Sequence, residues 1–265
     1  MVMDGASRPR RVGVLGVGVD DVIPAEAVAL LAHWIDEGRP RVVVTPNPEM
    51  VMLARRDTAF AHDLAAADLA VPDGVGLLWA ARLLGTPLRA RVPGSVLVPH
   101  LAAASARRGD RWFLLGAGPG VATEAGQVLA ALYPGLRIVG TFAGDAAPAG
   151  DVATRAAVQA AGRVDVLLVA YGAPRQEAWM ARNRDLGIPV MVGVGGVFNY
   201  LTGRSRLAPV WMRRVGLEWL YRLVTEPWRW RRQLALPHFA ALALVEAARR
   251  RGRQADTDEH GRHGG

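Results

Sequence analysis

Short apolar runs alternate along this chain with longer stretches of helical spacing, and no other feature limits the fold as strongly. The runs at 41–45, 112–115, 136–142, 164–170 and 190–194 are mostly apolar, with 42–45 continuously β-branched. Such runs suit strands buried on both faces. Residues 11–19 and 68–71 read as two further strands. Helical patterns over 24–37, 48–56, 58–66, 75–84, 95–108, 121–132 and 151–162 stand between them. Strands alternating with helices of about 10–15 residues predict an α/β chain with a doubly wound, mostly parallel sheet. Right-handed crossovers then bring the polar strand ends to one edge.

One of those ends carries Val71–Pro72–Asp73–Gly74–Val75–Gly76. Asp73 falls at the carboxyl end of a strand and just before a helix, where open α/β sheets bind ligands. A carboxylate there could equally be a helix cap. The 41–45 strand ends at Thr45–Pro46–Asn47, and these too could be strand-end and cap residues. Gly116–Ala117–Gly118–Pro119–Gly120 follows another strand and could cradle phosphate at a helix N-terminus. It lacks the third glycine of a dinucleotide fingerprint and the acid that should follow, so a tight turn is the better reading.

From Pro209 onward the strands cease. Residues 209–215, 217–225 and 227–250 read as helices, with Trp211, Trp219, Trp228 and Trp230 among arginines. The formal net charge of +8 is concentrated here. Twelve arginines between Arg204 and Arg253 are opposed only by Glu218, Glu226 and Glu246. An excess of this kind reads as an anion-facing surface, for nucleic acid, phospholipid or diphosphate. Tryptophans interleaved with arginines on short helices suit a lipid headgroup interface, while no nucleic-acid-binding motif is present. The division expected is a flexible N-terminus (1–10), an α/β core (11–205), a helical Arg/Trp-rich appendage (206–250) and a disordered tail (251–265).

Several classes are disfavoured by what the chain lacks. Cysteine is absent, so disulfides and thiolate metal sites are excluded. The six histidines show no ligand spacing outside the tail pair His260 and His263, and the one D-x-D triplet, Asp256–Asp258, lies in the tail. No catalytic metal and no cofactor are therefore expected. Mean hydropathy is high at +0.14, yet no window reaches the about 18 apolar residues of a membrane span. Residues 1–11 show no signal-peptide pattern, and the cytoplasm is the expected location. A lone carboxylate among amides and hydroxyls suits a general base, with arginines and backbone N–H groups holding a leaving diphosphate.

These pieces, with Arg91–Val92–Pro93–Gly94, Leu114–Leu115–Gly116, Tyr171–Gly172–Ala173–Pro174–Arg175–Gln176–Glu177, Gly193–Val194–Gly195–Gly196–Val197–Phe198 and the Gly216–Leu223 and Glu226–Pro227 segments, run in order from about residue 11 to 233. In that order they resemble the WecG/TagA/CpsF glycosyltransferases (glycosyltransferase family 26). The resemblance implies a Rossmann-like fold and metal-free, inverting transfer of an N-acetylmannosamine-type hexose from a UDP-sugar to a polyprenyl-diphosphate-linked sugar. It implies Asp73 as base, with Thr45 and Asn47 in the same pocket. It implies that Arg91 and Gln176 sit by nucleotide or sugar. The Gly193, Gly195 and Gly196 turn, with Gly172 and Asn199, would border the donor. It also implies an appendage meeting the inner face of the plasma membrane; the clustering of Arg222, Arg229 and Arg232 after Gly216 makes them the residues expected to face lipid diphosphate or phospholipid there. A homo-oligomer is possible and nucleic acid is not an expected partner; a basic nucleic-acid-binding protein is the alternative reading. Asn199 replaces a usual Asp and Leu207 a usual Arg, which bears on donor identity more than on reaction class.

Overall fold

The computed structural model describes residues 8–225, 227 and 230–262; for 214, 215, 222, 231, 232 and 253–262 it describes the backbone alone. The chain opens with β1 (Arg11–Val14) and β2 (Val17–Asp20), which pair antiparallel in a sheet of their own. The apolar pattern predicts one strand over 11–19. The chain instead reverses at Leu15 and Gly16, whose φ angles are 49° and 94°. Asp20 anchors this hairpin: its carboxylate takes Arg11 Nε and Nη2, both at 2.8 Å, and the Ala70 N–H at 2.7 Å.

The remaining elements follow in order: α1 (Pro24–Glu37), β3 (Arg41–Val44), α2 (Pro48–Ala54), α3 (Thr58–Ala65), β4 (Leu69–Ala70), α4 (Val75–Leu83) and α5 (Gly94–Arg108). Then come β5 (Arg111–Gly116), α6 (Val121–Leu132), β6 (Arg137–Phe142), α7 (Asp151–Ala160), β7 (Val166–Ala170), α8 (Arg175–Arg182), β8 (Val190–Gly193) and α9 (Val197–Leu201). Short helices α10 (Val210–Val215), α11 (Glu218–Thr225) and α12 (Trp230–Gln233) precede a long α13 (Ala235–Arg262). The backbone of α13 is helical through 262.

Six strands form one sheet in the order β4-β3-β8-β7-β5-β6, every neighbouring pair parallel. Successive residues of a strand point to opposite faces, and both faces are covered. Val42, Val44, Leu167, Val169 and Met191 pack on one side with α2, α3, α4 and α8. Val43, Val166, Leu168, Val190 and Val192 pack on the other with α1, α5, α6 and α9. This is why the strands read as unbroken apolar runs. Phe239, Ala243 and Ala247 of α13 are buried in the first of these cores, so α13 is part of the body of the molecule.

At the amino edge of the sheet, carboxylates accept backbone N–H groups of the neighbouring strand. Asp68 takes Val42 N–H and Asp165 takes Arg111 N–H, each at 2.8 Å. The opposite edge is left for the site. The chain leaves β5 toward β6 and leaves β7 toward β8, in opposite senses. Helix α6 lies on one face and α8 on the other, so the connections part between β5 and β7. A doubly wound sheet opens its crevice at such a switch point.

Candidate active site

A cleft of about 490 Å³ lies along this carboxyl edge. Its walls come from the ends of five strands. The turn after β3 supplies Thr45 and Asn47, and the first turn of α2 supplies Glu49; the turn after β4 supplies Asp73; the connection after β5 supplies Ala117. The segment after β7 supplies Gly172 and Gln176, and that after β8 supplies Gly195, Gly196, Asn199, Tyr200 and Ser205. Glu218, at the start of α11, closes one side.

The backbone fixes Asp73 from two directions. Its N–H donates to Pro46 O at 2.8 Å, and the carbonyl of Pro72 takes the Val92 N–H at 2.7 Å. The acid is thereby held between the turns after β3 and before α5. Asn47 caps α2, its Oδ1 accepting the Met50 N–H at 2.9 Å. The cap and the cleft wall are the same side chain, so the two sequence readings of Asn47 are compatible. Thr45 is buried, and its Oγ1 donates to Gly193 O at 3.2 Å.

Gln176 has a more specific place than its sequence position suggests. It is 2% exposed. Its Oε1 accepts the N–H of Gly172 at 3.1 Å and of Gly195 at 3.0 Å. The amide therefore staples the loop after β7 to the loop after β8. Both glycines sit in the left-handed region, with φ of 76° and 53°, which a side chain would resist. Gly193 lies beneath the cleft wall. A Cβ there would stand 2.9 Å from Gln176 Nε2 and 3.0 Å from Met180 Cε.

Arg91 is not among the residues lining the cleft. Its Nη1 approaches Glu218 Oε2 at 3.4 Å. Arg229 lies outside the described residues, and so do the side chains of Arg222 and Arg232. The described C-terminal helices leave large apolar side chains exposed, with Trp211 at 62%, Trp219 at 44% and Trp230 at 50%. Among the described residues no helix is long and apolar enough to cross a membrane. Among them, too, no group of three or more His, Asp and Glu side chains is placed to hold a metal ion.

Sequence reasoning passes over three acids, of which Glu49, on the first turn of α2, lines the cleft. Glu218 borders the cleft from far along the chain. Glu177, on the first turn of α8, is 2% exposed. Burial pushes its carboxyl up to about 7, against the hydrogen bond from Gln176. Nearby, burial likewise raises the Tyr171 phenol to about 12, so that hydroxyl stays neutral. The Tyr171 ring packs edge-on to Trp179, with centroids 6.3 Å apart.

The sequence pattern of the glycosyl transferase WecG/TagA/CpsF family matches residues 12–253. Two similar proteins come from Bacillus spizizenii and Bacillus subtilis. The first is 33% identical over 230 residues, covering 84% of this chain and 88% of its own. The second is 33% identical over 216 residues, covering 81% and 83%. A Staphylococcus aureus protein is 28% identical over 242 residues, covering 90% and 94%. All three are named N-acetylglucosaminyldiphosphoundecaprenol N-acetyl-beta-D-mannosaminyltransferase.

Proposed function

Because the chain belongs to the WecG/TagA/CpsF family and is a glycosyltransferase, we propose that it moves an N-acetylmannosamine-type hexose from a UDP-sugar to a polyprenyl-diphosphate-linked sugar. One observation carries this reading. Asp73 shares a single cleft at the switch edge of the sheet with Thr45, Asn47 and the glycine turn Gly195–Gly196. An acid at the carboxyl edge of the sheet, facing a ligand-sized crevice, suits a base in a one-step displacement.

Asp73 takes the proton of the acceptor hydroxyl as its oxygen attacks the anomeric carbon. The bond from that carbon to the diphosphate breaks as the new glycosidic bond forms, and UDP leaves with its electron pair. One displacement on the face opposite the leaving group inverts the anomeric centre. Thr45 and Asn47 border the reacting sugar, and the backbone of the glycine turn approaches the nucleotide. Asn199 in place of an acid keeps hydrogen bonding and removes a charge, which tunes the choice of donor. The exposed tryptophans and the arginines of the C-terminal helices bring the site to a membrane surface, where the lipid-linked acceptor resides.

The test is a panel of UDP-sugars with a short-chain lipid-diphosphate-sugar acceptor, scored by UDP release. Asp73→Asn is expected to lower turnover by ~10²-fold or more, the usual worth of a positioned base, and to keep UDP binding. Near-normal turnover in this variant would remove Asp73 from the role. Silence of the whole panel with the wild-type protein would overturn the donor class.

A further inference from the structure

Glu177 stands on the first turn of α8, where a glutamate ordinarily faces water. Here it is buried, and its Oε1 accepts Gln176 Nε2–H at 2.8 Å. Its other oxygen, Oε2, is buried with no hydrogen-bond partner among the described residues. A buried carboxyl with one oxygen unsatisfied costs free energy that an apolar side chain would not. Something other than packing must favour an acid at this position.

The neighbouring amide supplies the reason. Gln176 can hold Gly172 and Gly195 only while its oxygen faces their N–H groups. Flipping the amide would set its NH₂ against two N–H donors. A carboxylate accepts and does not donate, so Glu177 draws the NH₂ end to itself and forces the oxygen toward the glycines. An amide at 177 could offer either a donor or an acceptor and would not discriminate between the two orientations.

We propose that Glu177 is a positioning residue for glycosyl transfer, acting through Gln176 to set the two glycine loops that wall the cleft. This rests on the transfer reading above; the loop geometry does not. A charge-assisted hydrogen bond is the stronger one, so the hold on Gln176 tightens as Glu177 ionises. The charged group that bears on it from the packed helix α3 is Asp63, whose own carboxyl is raised by burial and opposed by His62 and Arg182. Burial and Asp63 together place the ionisation of Glu177 at about 7. Higher pH then favours the ordered loops while charging a buried group.

The experiment compares the wild-type protein with Glu177→Gln and, as a second variant without any polar group, Glu177→Met. Backbone hydrogen exchange is read over 171–177 and 193–199, donor kcat/KM is followed against pH, and unfolding stability is measured at each pH. Both variants are expected to exchange faster in both loops. They are expected to lose about tenfold in kcat/KM above neutrality, the worth of a hydrogen bond to a charged group, with donor KM taking the larger share. The rise of kcat/KM that the wild type shows through pH 7 is absent from both, and Glu177→Gln is no less stable than the wild type at pH 8. Wild-type exchange in the two loops, or an unchanged pH profile, would overturn the proposal. If no UDP-sugar serves the wild type, the transfer reading fails, and hydrogen exchange still decides whether Glu177 orders the loops.

Discussion

The Arg91 guanidinium lies 3.4 Å from the carboxylate of Glu218, which lines the cleft, joining the loop before α5 to the first turn of α11. Both side chains are about a quarter exposed, at 26% and 27%, so the pair contributes little to global stability, ~0.5–1 kcal/mol. Its expected importance is geometric. A double-mutant cycle of Arg91→Ala and Glu218→Ala should give a coupling of that size in unfolding. The same cycle on the acceptor KM should show non-additive loss, since either change frees α11 to move. Additive effects on KM would show that the contact does not couple α11 to the site.

Gly193→Ala should injure the site more than the fold. Its Cβ would press on Gln176 Nε2 at 2.9 Å and Met180 at 3.0 Å. Relief requires the Gln176 amide to move, and that amide holds the loops at Gly172 and Gly195. Overpacking of this kind costs about 1–3 kcal/mol, measurable by denaturant unfolding. Calorimetry should show weaker binding of UDP, and a protein that binds UDP normally would contradict the assignment of the glycine loops to the donor side.

The fold was legible because a parallel sheet covered on both faces leaves a plain signature. The run in β7 has no polar residue to face solvent, and that in β5 has none after Arg111. The hairpin of β1 and β2 was not legible, because its reversal turns on a Leu15 with positive φ, a conformation its side chain does not advertise. Asp73, Thr45 and Asn47 could be placed at strand ends by counting elements. Glu177 could not: an Arg–Gln–Glu triplet opening a helix looks solvated, and its burial comes with the packing of α8 against α3 and the sheet. Glu218 was equally hidden, since its partner Arg91 is separated from it by 127 residues.

The exposed apolar side chains of α10 and α11 make a specific expectation for membranes. Trp211 is 62% exposed and Val224 is 73% exposed, on helices that also carry arginines. Replacing either by Ser should weaken co-sedimentation with anionic vesicles by roughly tenfold, the worth of one large apolar side chain moved into an apolar environment. UDP binding should be unaffected. Point changes are the right tool, because truncating the C-terminal helices would also remove Phe239, Ala243 and Ala247 from the core. Unchanged sedimentation in both variants would remove these helices from the membrane contact.

Glu177 should leave its mark on the pH dependence of stability, with a sign opposite to that of the surface carboxylates. Its pKa rises from 4.5 to about 7 on folding, so between those values the folded protein binds more protons than the unfolded chain. Stability is then greatest below the unfolded value and is lost as pH climbs through about 7. A tenfold change in proton affinity corresponds to about 1.4 kcal/mol, which sets the loss on the order of 3 kcal/mol. A salt-bridged acid such as Glu26, held below its usual range by the Arg89 hydrogen bond, works the other way: its contribution is present above the unfolded value and disappears as the solution is made acid. Denaturant unfolding from pH 5 to 9 should therefore show a decline in the wild type that Glu177→Gln largely removes. If the two proteins decline in parallel, the carboxyl at 177 is not the group being charged.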